Sequence, residues 1–162
     1  SRSWTTRPTV NKGKVAALVV VLIAAPFVTE REGVVLRKYK DPVGIPTACG
    51  GETDKEFVDF KAIYTRDECI AAMGASLYAH AVDLDKCIHV PLARNQAAAV
   101  LSWSYNVGVT NACGSTLMKK LNAGQPFCAE LSKWVYAKNI KLPGLVSRRA
   151  AERHMCEVGT WS

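Results

Sequence analysis

Residues 30–47 read EREGVVLRKYKDPVGIPT and directly follow an uncharged apolar run, VAALVVVLIAAPFV, at residues 15–28. The carboxylate of Glu32 stands only four residues beyond that run. An apolar segment of this kind can enter either a lipid bilayer or a protein core. The organisation of the whole chain therefore depends on where this segment lies and on what Glu32 does beside it.

The composition indicates one globular unit with an anionic partner. A chain of 162 residues can bury roughly two thirds of its unfolded surface, and 49% of these residues are hydrophobic. The formal net charge of +7 favours nucleic acid, anionic lipid or an acidic cell wall as the partner. A nucleic-acid binder is disfavoured, because the chain lacks basic residues interleaved with stacking aromatic residues. We expect a monomer with no nucleic-acid partner.

Six cysteines are spread over the chain without a CxxC pair, at positions 49, 69, 87, 113, 128 and 156. Three disulfides are the simplest interpretation, and they indicate an oxidising compartment such as the bacterial periplasm. Six buried free thiols are the alternative. The histidines at 80, 89 and 154 have no metal-ligand spacing, so no metal site is predicted.

The N-terminal segment has the charge order of an export signal. Four basic side chains precede the apolar run: Arg2, Arg7, Lys12 and Lys14. Ile23 and Pro26 spoil the small-residue pattern of a cleavage site, so we expect the segment to be retained as an anchor. It is shorter than the ~20 apolar residues of a stable transmembrane helix, which predicts a marginal hold on the bilayer. The alternative is a buried N-terminal helix of a purely soluble protein.

The next region predicts a β-hairpin followed by a long helix. Residues 41–44 read DPVG, which is typical of a type I turn and places a hairpin at about residues 36–53. Thr65 and Glu68 have the spacing of a capping box. Apolar residues then recur at helical spacing to near Cys87, which predicts one long amphipathic helix.

Beyond this helix the pattern predicts further helices only. One opens at Pro91 and is closed by Gly108, and a second spans residues 115–122. A third starts at Pro126, and a final basic helix follows Gly144. The predicted fold class is α+β and mostly helical, with a small β-hairpin lobe joined by a long helix to a helical lobe. Substrates usually bind in the cleft between such lobes.

Glu32, Asp41 and Thr47 form a candidate catalytic set. Glu32 lies at a helix end and the other two lie on opposite arms of the hairpin, so all three can face one cleft. Glycoside hydrolysis needs one carboxylic acid to protonate the leaving oxygen and one carboxylate to activate water or attack. Each residue also has an ordinary explanation. Asp41 can be a turn aspartate before proline, Glu32 a solvated charge and Thr47 a strand residue.

The spacing of eight and then five residues between these side chains resembles the catalytic signature of the phage lysozymes of glycoside hydrolase family 24. The resemblance continues along the chain through TRDEC, SWSYNVG, GSTLMKKLNAG, LPGLVSRRAAER and GTW. With its basic and apolar N-terminus, the chain resembles the signal-anchor-release endolysins of that family. It departs from the family at CGGET, residues 49–53, where relatives often carry a G-x-G-H-like stretch.

The resemblance implies a phage-lysozyme-like two-lobe fold with a signal-anchor segment at residues 1–28 and a catalytic domain at residues 29–162. Within the domain, it implies a small lobe at residues 29–64, a connecting helix at residues 65–87 and a helical lobe at residues 88–162.

The implied activity is hydrolysis of the β-1,4 bond between N-acetylmuramic acid and N-acetylglucosamine in peptidoglycan, without a cofactor. Glu32 would be the general acid, Asp41 the base on water, and Thr47 would hold that water. Inversion at the anomeric carbon follows if the carboxylates lie ~6.5–9.5 Å apart. Tyr105 and Asn106 are candidate substrate contacts in the cleft wall, with packing at a helix end as the alternative.

Charge and cysteine positions add two expectations. Three arginines of the final helix attract the anionic wall, form a solvated basic face or form ion pairs with nearby acids: Arg148, Arg149 and Arg153. Cys69 cannot pair with Cys87, because eighteen residues of one helix span about 27 Å. The family's layout implies three disulfides: Cys49–Cys69, Cys87–Cys113 and Cys128–Cys156.

The position of Glu32 predicts that the anchor controls the site. Insertion of the anchor in the inner membrane would keep Glu32 beside lipid, and release to the periplasm would let the segment fold onto the enzyme. Residues 1–48 contain no cysteine, so disulfide exchange with the anchor is excluded.

Two other classes of protein stay open as interpretations of the sequence. One is a non-catalytic wall-binding protein, and the other is a lytic transglycosylase, which needs the acid but not the paired base.

Overall fold

The computed structural model describes residues 12–32, 39–40, 46–47 and 65–161. In that part of the chain the elements are α1 (Lys12–Glu32), β1 (Tyr39–Lys40), β2 (Pro46–Thr47), α2 (Arg66–Asp85), α3 (Arg94–Val107), α4 (Val109–Cys113), α5 (Thr116–Asn122), a 3₁₀ helix (Cys128–Lys133), β3 (Tyr136–Ala137), β4 (Ile140–Lys141) and α6 (Pro143–Val158). Strands β1 and β2 pair antiparallel, and so do β3 and β4. The mostly helical α+β class predicted from the sequence is confirmed.

Helix α1 contains the apolar run and buries one face of it in the core. The buried side chains include Val20, Val21, Ala24, Ala25 and Val28. They pack against α2 and α3. Burying a valine-sized side chain contributes roughly 1.5–3 kcal/mol, so this face supplies a substantial share of the domain's stability. The helix ends at Glu32, which confirms the predicted helix-end position of that residue.

The opposite face of α1 is open to solvent. Leu18 and Leu22 are exposed there, and so is Pro26 in the helix interior. Proline has no N–H to give the carbonyl of Leu22, and an exposed position lets water replace that hydrogen bond. Among the described helices, none combines the length and the hydropathy that crossing a membrane requires.

Helix α2 begins with the predicted capping box and joins the hairpin region to the C-terminal helices. The Glu68 N–H donates to Thr65 Oγ1 at 3.1 Å, and the Thr65 N–H donates to Glu68 Oε2 at 2.8 Å. Two of the orphan donors at the helix start are satisfied in this way. Met73, Leu77 and Leu84 then point into the core, as their spacing predicts.

The predicted hairpin at about residues 36–53 is described only where its arms pair. Tyr39 lies opposite Thr47, and Lys40 lies opposite Pro46. The predicted type I turn, with Asp41, lies outside the described residues.

Helix α3 begins later than the sequence pattern suggests. The prediction places its start at Pro91, whereas the helix begins at Arg94. Ala93 is extended and forms the N-cap, and its N–H donates to Gln96 Oε1 at 3.4 Å, so the first turn is capped there. Gly108 closes the helix as predicted, with a φ of 92° that favours glycine.

The prediction of a helix starting at Pro126 is wrong. A 3₁₀ helix follows at Cys128–Lys133, and then the β3–β4 hairpin. Lys138 and Asn139 form its two-residue turn with φ values of 49° and 64°. Asparagine tolerates this left-handed conformation, and a two-residue turn of that kind matches the twist of the flanking strands.

The start of the final helix also differs by a few residues from the prediction. Helix α6 begins at Pro143, so Gly144 lies inside its first turn rather than before it. Proline suits the first helical position, because its missing N–H has no partner there in any case. Gly159 ends the helix in the left-handed conformation, with φ 97°.

Two disulfides tie the C-terminal helices together. Cys87 bonds to Cys113, and Cys128 bonds to Cys156, with Cα separations of 5.8 and 5.7 Å. They are two of the three pairs that the family's layout implies. Cys69 is also disulfide-bonded. Its implied partner, Cys49, lies outside the described residues, so the pair Cys49–Cys69 stays a prediction.

His80 makes the α2–α3 contact sensitive to acid. Its Nε2 atom lies 3.0 Å from Ser104 Oγ, and its ring meets the Tyr105 ring edge-on. Burial lowers the pKa of His80 below 6.5, although Asp83 and a hydrogen bond to Ser104 act in the other direction. The unfolded chain therefore binds this proton at a higher pH than the folded chain does. The stability that uncharged His80 contributes at neutral pH is therefore lost as the pH falls below about 6.5.

We expect His80→Gln to reduce the fall in melting temperature between about pH 7.5 and pH 5.5, because the variant has no imidazole to protonate. Thermal unfolding followed by circular dichroism at the two pH values measures the effect. His89→Gln, at an exposed position, is the control. An unchanged pH dependence in the His80 variant would contradict the assignment.

Candidate active site

Glu32 is held at the end of α1 by an arginine from α6. Arg148 Nη1 donates to Glu32 Oε1 at 2.7 Å. The arginine side chain is buried, whereas the Glu32 side chain keeps 29% of its surface exposed. The carboxyl group is therefore held by Arg148 on one side and partly accessible on the other.

Arg148 belongs to a buried charge cluster, which we define as Glu32, Arg148, Arg149 and Glu152. Arg148 Nη2 donates to the Ser102 carbonyl at 3.3 Å, and its Nε lies 3.8 Å from Glu152 Oε2. Arg149 Nη1 donates to Glu152 Oε1. Two arginines thus face two glutamates, and the formal charges of the cluster cancel.

Burial dominates the electrostatics of the inner pair. It raises the pKa of Glu152, against the effect of Arg149 and Arg148, and it lowers the pKa of Arg149. Glu152 has no accessible surface. A buried charge is tolerated only when it is paired, so each member of the cluster depends on the others.

The interpretation of the three arginines as an open basic surface is wrong for two of them. Arg148 and Arg149 lie on the inward face of α6. They are buried there, and Glu152 neutralises their charge through ion pairs. Arg153 is more exposed and pairs with Glu157 at 2.8 Å. The alternative, ion pairs with nearby acids, is confirmed for all three.

Asn106 and Tyr105, the candidate substrate contacts, have different surroundings. Asn106 Oδ1 accepts a hydrogen bond from Arg149 Nη2, which links it to the charge cluster. Arg149 Nε also donates to the Trp134 carbonyl at 2.9 Å. Tyr105 faces α2, where its hydroxyl lies 3.4 Å from Ser76 Oγ. The structure therefore links Asn106 to Arg149 of the charge cluster and places Tyr105 in the contact between α2 and α3.

Asp41 and Thr47 are only partly placed. Thr47 belongs to β2, and its backbone lies opposite Tyr39. Asp41 comes directly after β1 and lies outside the described residues. No group of three histidine, cysteine, aspartate or glutamate side chains within residues 12–32 and 65–161 is arranged to hold a metal ion.

Sequence reasoning missed Glu152 as a member of the site. Its signal was its spacing, since residues three and four apart on a helix are neighbours and Glu152 follows Arg149 and Arg148 by those intervals. The same spacing is common on solvated helix faces, so the sequence pattern alone does not show that the pairs are buried.

Comparison with known proteins decides the family. The phage lysozyme family model matches residues 29–152, a span that contains Glu32 and the rest of the charge cluster. The chain belongs to the phage lysozyme family. The matched span begins at residue 29, inside α1. This one helix therefore contains Glu32 of the lysozyme and also residues that precede the matched span.

Individual relatives agree with this membership. A SAR-endolysin of Bacteriophage PS119 is 37% identical over 147 residues, which cover 89% of this chain and 87% of the relative. A SAR-endolysin of Enterobacteria phage P21 is also 37% identical, with coverage of 89% and 88%. The solved endolysin from Escherichia coli O157:H7 phage FAHEc1 superposes with a TM-score of 0.74 at 25% identity, covering 86% of this lysozyme and 93% of that chain.

We expect Glu152→Gln to lower the free energy of unfolding by about 3–5 kcal/mol, because it leaves buried Arg149 without its counter-charge. Glu157→Gln, on the same helix, removes the partner of the more exposed Arg153 and should cost less than about 1 kcal/mol. Urea denaturation of both variants measures the difference. Equal losses of unfolding free energy in the two variants would mean that the buried cluster contributes no more to stability than the exposed pair does.

Proposed function

We propose that this phage lysozyme is an endolysin that hydrolyses the β-1,4 bond between N-acetylmuramic acid and N-acetylglucosamine in peptidoglycan, with inversion, to lyse the host cell. The observation that carries the proposal is the partly exposed Glu32 carboxyl group, held at 2.7 Å by buried Arg148 in a chain of this family. The curated relatives PS119 and P21 are named SAR-endolysins. No cofactor is required by this chemistry, because an acid, a base and water suffice.

The contact with Arg148 determines which oxygen of Glu32 delivers the proton. An arginine donates hydrogen bonds and accepts none, so Oε1, which receives the Arg148 bond, is not the atom that carries the proton. The proton of the acid form then sits on Oε2. Within the described part of the chain, Oε2 makes no hydrogen bond or ion pair, and the glycosidic oxygen is its partner in this mechanism.

Asp41 and Thr47 complete the proposed mechanism on the other side of the scissile bond. Asp41 removes a proton from water while Glu32 protonates the leaving oxygen, and Thr47 holds that water. The family resemblance supports these two roles. The antiparallel pairing of β1 with β2, the strand that contains Thr47, is further support. Asn106, through Arg149, supports the wall of the site.

The proposal includes a membrane-anchored state before the active one, with residues 1–28 as the anchor and residues 29–162 as the periplasmic enzyme. Val21, Ala24 and Val28 lie in the protein core here, and the same side chains face lipid if the segment is inserted. They cannot do both at once. Since Glu32 follows Val28 by one helical turn, about 6 Å, insertion would separate Glu32 from Arg148. Release to the periplasm then assembles the site.

We expect Glu32→Gln to lower the rate of peptidoglycan hydrolysis by about 10²–10⁴-fold, because glutamine cannot donate the required proton. Mass analysis of the muropeptides released from purified Gram-negative peptidoglycan measures this, with Glu30→Gln on the same helical turn as the control. Reducing muramic ends from the wild type and the control support a muramidase. Anhydro ends would show a transglycosylase, and no product from any of the three would favour a wall-binding protein.

Leu22→Lys tests the anchor separately from catalysis. Leu22 lies in the apolar run but is 66% exposed in the folded lysozyme, so a lysine there leaves the core intact. In a bilayer the same lysine costs about 2.5–3.5 kcal/mol, and the variant should shift from the membrane fraction to the soluble periplasmic fraction with its activity retained. Val82→Lys, at an exposed position of α2, is the control. Identical fractionation of all three proteins would contradict membrane insertion.

A further inference from the structure

The last turn of α1 is held by three side-chain contacts that all come from the C-terminal end of the chain. Arg31 Nη1 donates to Ser147 Oγ at 2.9 Å. Arg148, the next residue of α6, binds Glu32. Phe27, slightly more than one turn before Glu32, stacks on Trp161. The first two contacts come from α6 and the third from the tail that follows it.

The tail is shaped to bring Trp161 back onto α1. Gly159 ends α6 with φ 97°, and its N–H donates to the Met155 carbonyl at 2.9 Å. His154 Nδ1 lies 2.9 Å from the Thr160 carbonyl and 3.0 Å from its Oγ1, so the next residue is fixed as well. A left-handed glycine reverses the chain at the end of a helix, and here the reversal directs the tail towards α1.

The stack between Trp161 and Phe27 is close and nearly parallel. The ring centroids are 4.1 Å apart, and the ring planes differ by 6°. Phe27 is only 8% exposed, and the Arg31 guanidinium lies 5.0 Å from the centre of its ring. Phe27 therefore connects Trp161 with Arg31, the residue adjacent to Glu32. Aromatic pairs and cation–π contacts of this kind are directional as well as attractive.

A single salt bridge does not fix the orientation of a helix end. Successive residues of an α-helix are 100° apart, so even a small rotation of the last turn about the Arg148 contact would displace the Glu32 carboxyl group. The Phe27 contact lies five residues earlier, about 7.5 Å along the axis, and opposes that rotation. Core packing of α1 positions the helix, and the Phe27 and Arg148 contacts together restrict the orientation of its last turn.

We propose that Trp161 is a positioning residue for catalysis, which fixes the Glu32 carboxyl group through its stack on Phe27. The inference rests on the proposed role of Glu32 as the general acid. Its physical basis is that the rate of a proton transfer depends on sub-ångström placement, whereas substrate binding is spread over many contacts. Loss of the stack therefore lowers kcat and leaves KM nearly unchanged.

The test compares two replacements of Trp161 in the full chain. Trp161→Leu keeps an apolar side chain but removes the ring, and Trp161→Phe restores a ring. We expect Trp161→Leu to lower kcat on peptidoglycan by about ten-fold, since a misplacement of 1 Å can cost about a hundred-fold, and Trp161→Phe to recover most of the loss. Val158→Ala, at an exposed position in the last turn of α6, should behave as the wild type.

Phe27→Leu removes the other half of the stack and gives a second route to the same answer if Trp161→Leu does not fold. It should lower kcat to a similar extent, and combining the two substitutions should add little, because they break one interaction. Rates are measured well below the melting temperature of each variant, so that loss of folded protein does not enter kcat.

The outcomes separate this inference from the proposed function. A wild-type kcat in Trp161→Leu and Phe27→Leu, together with an inactive Glu32→Gln, would overturn the positioning role alone. A lowered kcat that Trp161→Phe does not recover would also overturn it, because the ring would not be the cause. An active Glu32→Gln variant would overturn the proposed function, whatever the Trp161 variants show.

Discussion

The contact between Arg148 and Glu32 joins the last helix of the lysozyme to the end of its first helix. The guanidinium group has two further partners: its Nη2 atom donates to the Ser102 carbonyl, and its Nε atom lies 3.8 Å from Glu152 as an ion pair. Desolvating an arginine is expensive, and the expense is offset when the charge is shared between two carboxylates. The site is therefore built from the inside outwards: the buried pair of Arg149 and Glu152 supports Arg148, and Arg148 holds the partly exposed carboxyl group of Glu32.

Because of the same contact, the position of α1 determines where the carboxyl group of Glu32 lies. Val21, Ala24 and Val28 bury α1 against α2 and α3, and the helix delivers Glu32 to Arg148 only while that face is buried. The apolar run is thus a structural part of the active enzyme. In the proposed anchored state the same residues would be solvated by lipid, and the acid would be separated from its arginine. Under this proposal, one helix couples the location of the enzyme to its activity.

Much of the C-terminal region follows from local rules. The capping box at Thr65 and Glu68, the Ser115 N-cap of α5 and the closing glycine at position 108 are all present in the structure. Each depends on backbone groups within one helical turn, so a short window of sequence contains the whole interaction. The β3–β4 hairpin is the counterexample. Its strands have two residues each, and such short apolar segments do not distinguish a strand from a helix.

The sequence by itself determined the mostly helical class, the apolar run beside Glu32 and the family, whose catalytic signature the spacing of Glu32, Asp41 and Thr47 resembles. Only the tertiary structure decided that Arg148 and Arg149 are buried rather than displayed, and that Trp161 returns to Phe27. The reason is sequence distance. Ser147 and Arg148 each lie 116 residues from their partners, Arg31 and Glu32, and no local pattern records which distant charge a side chain will meet.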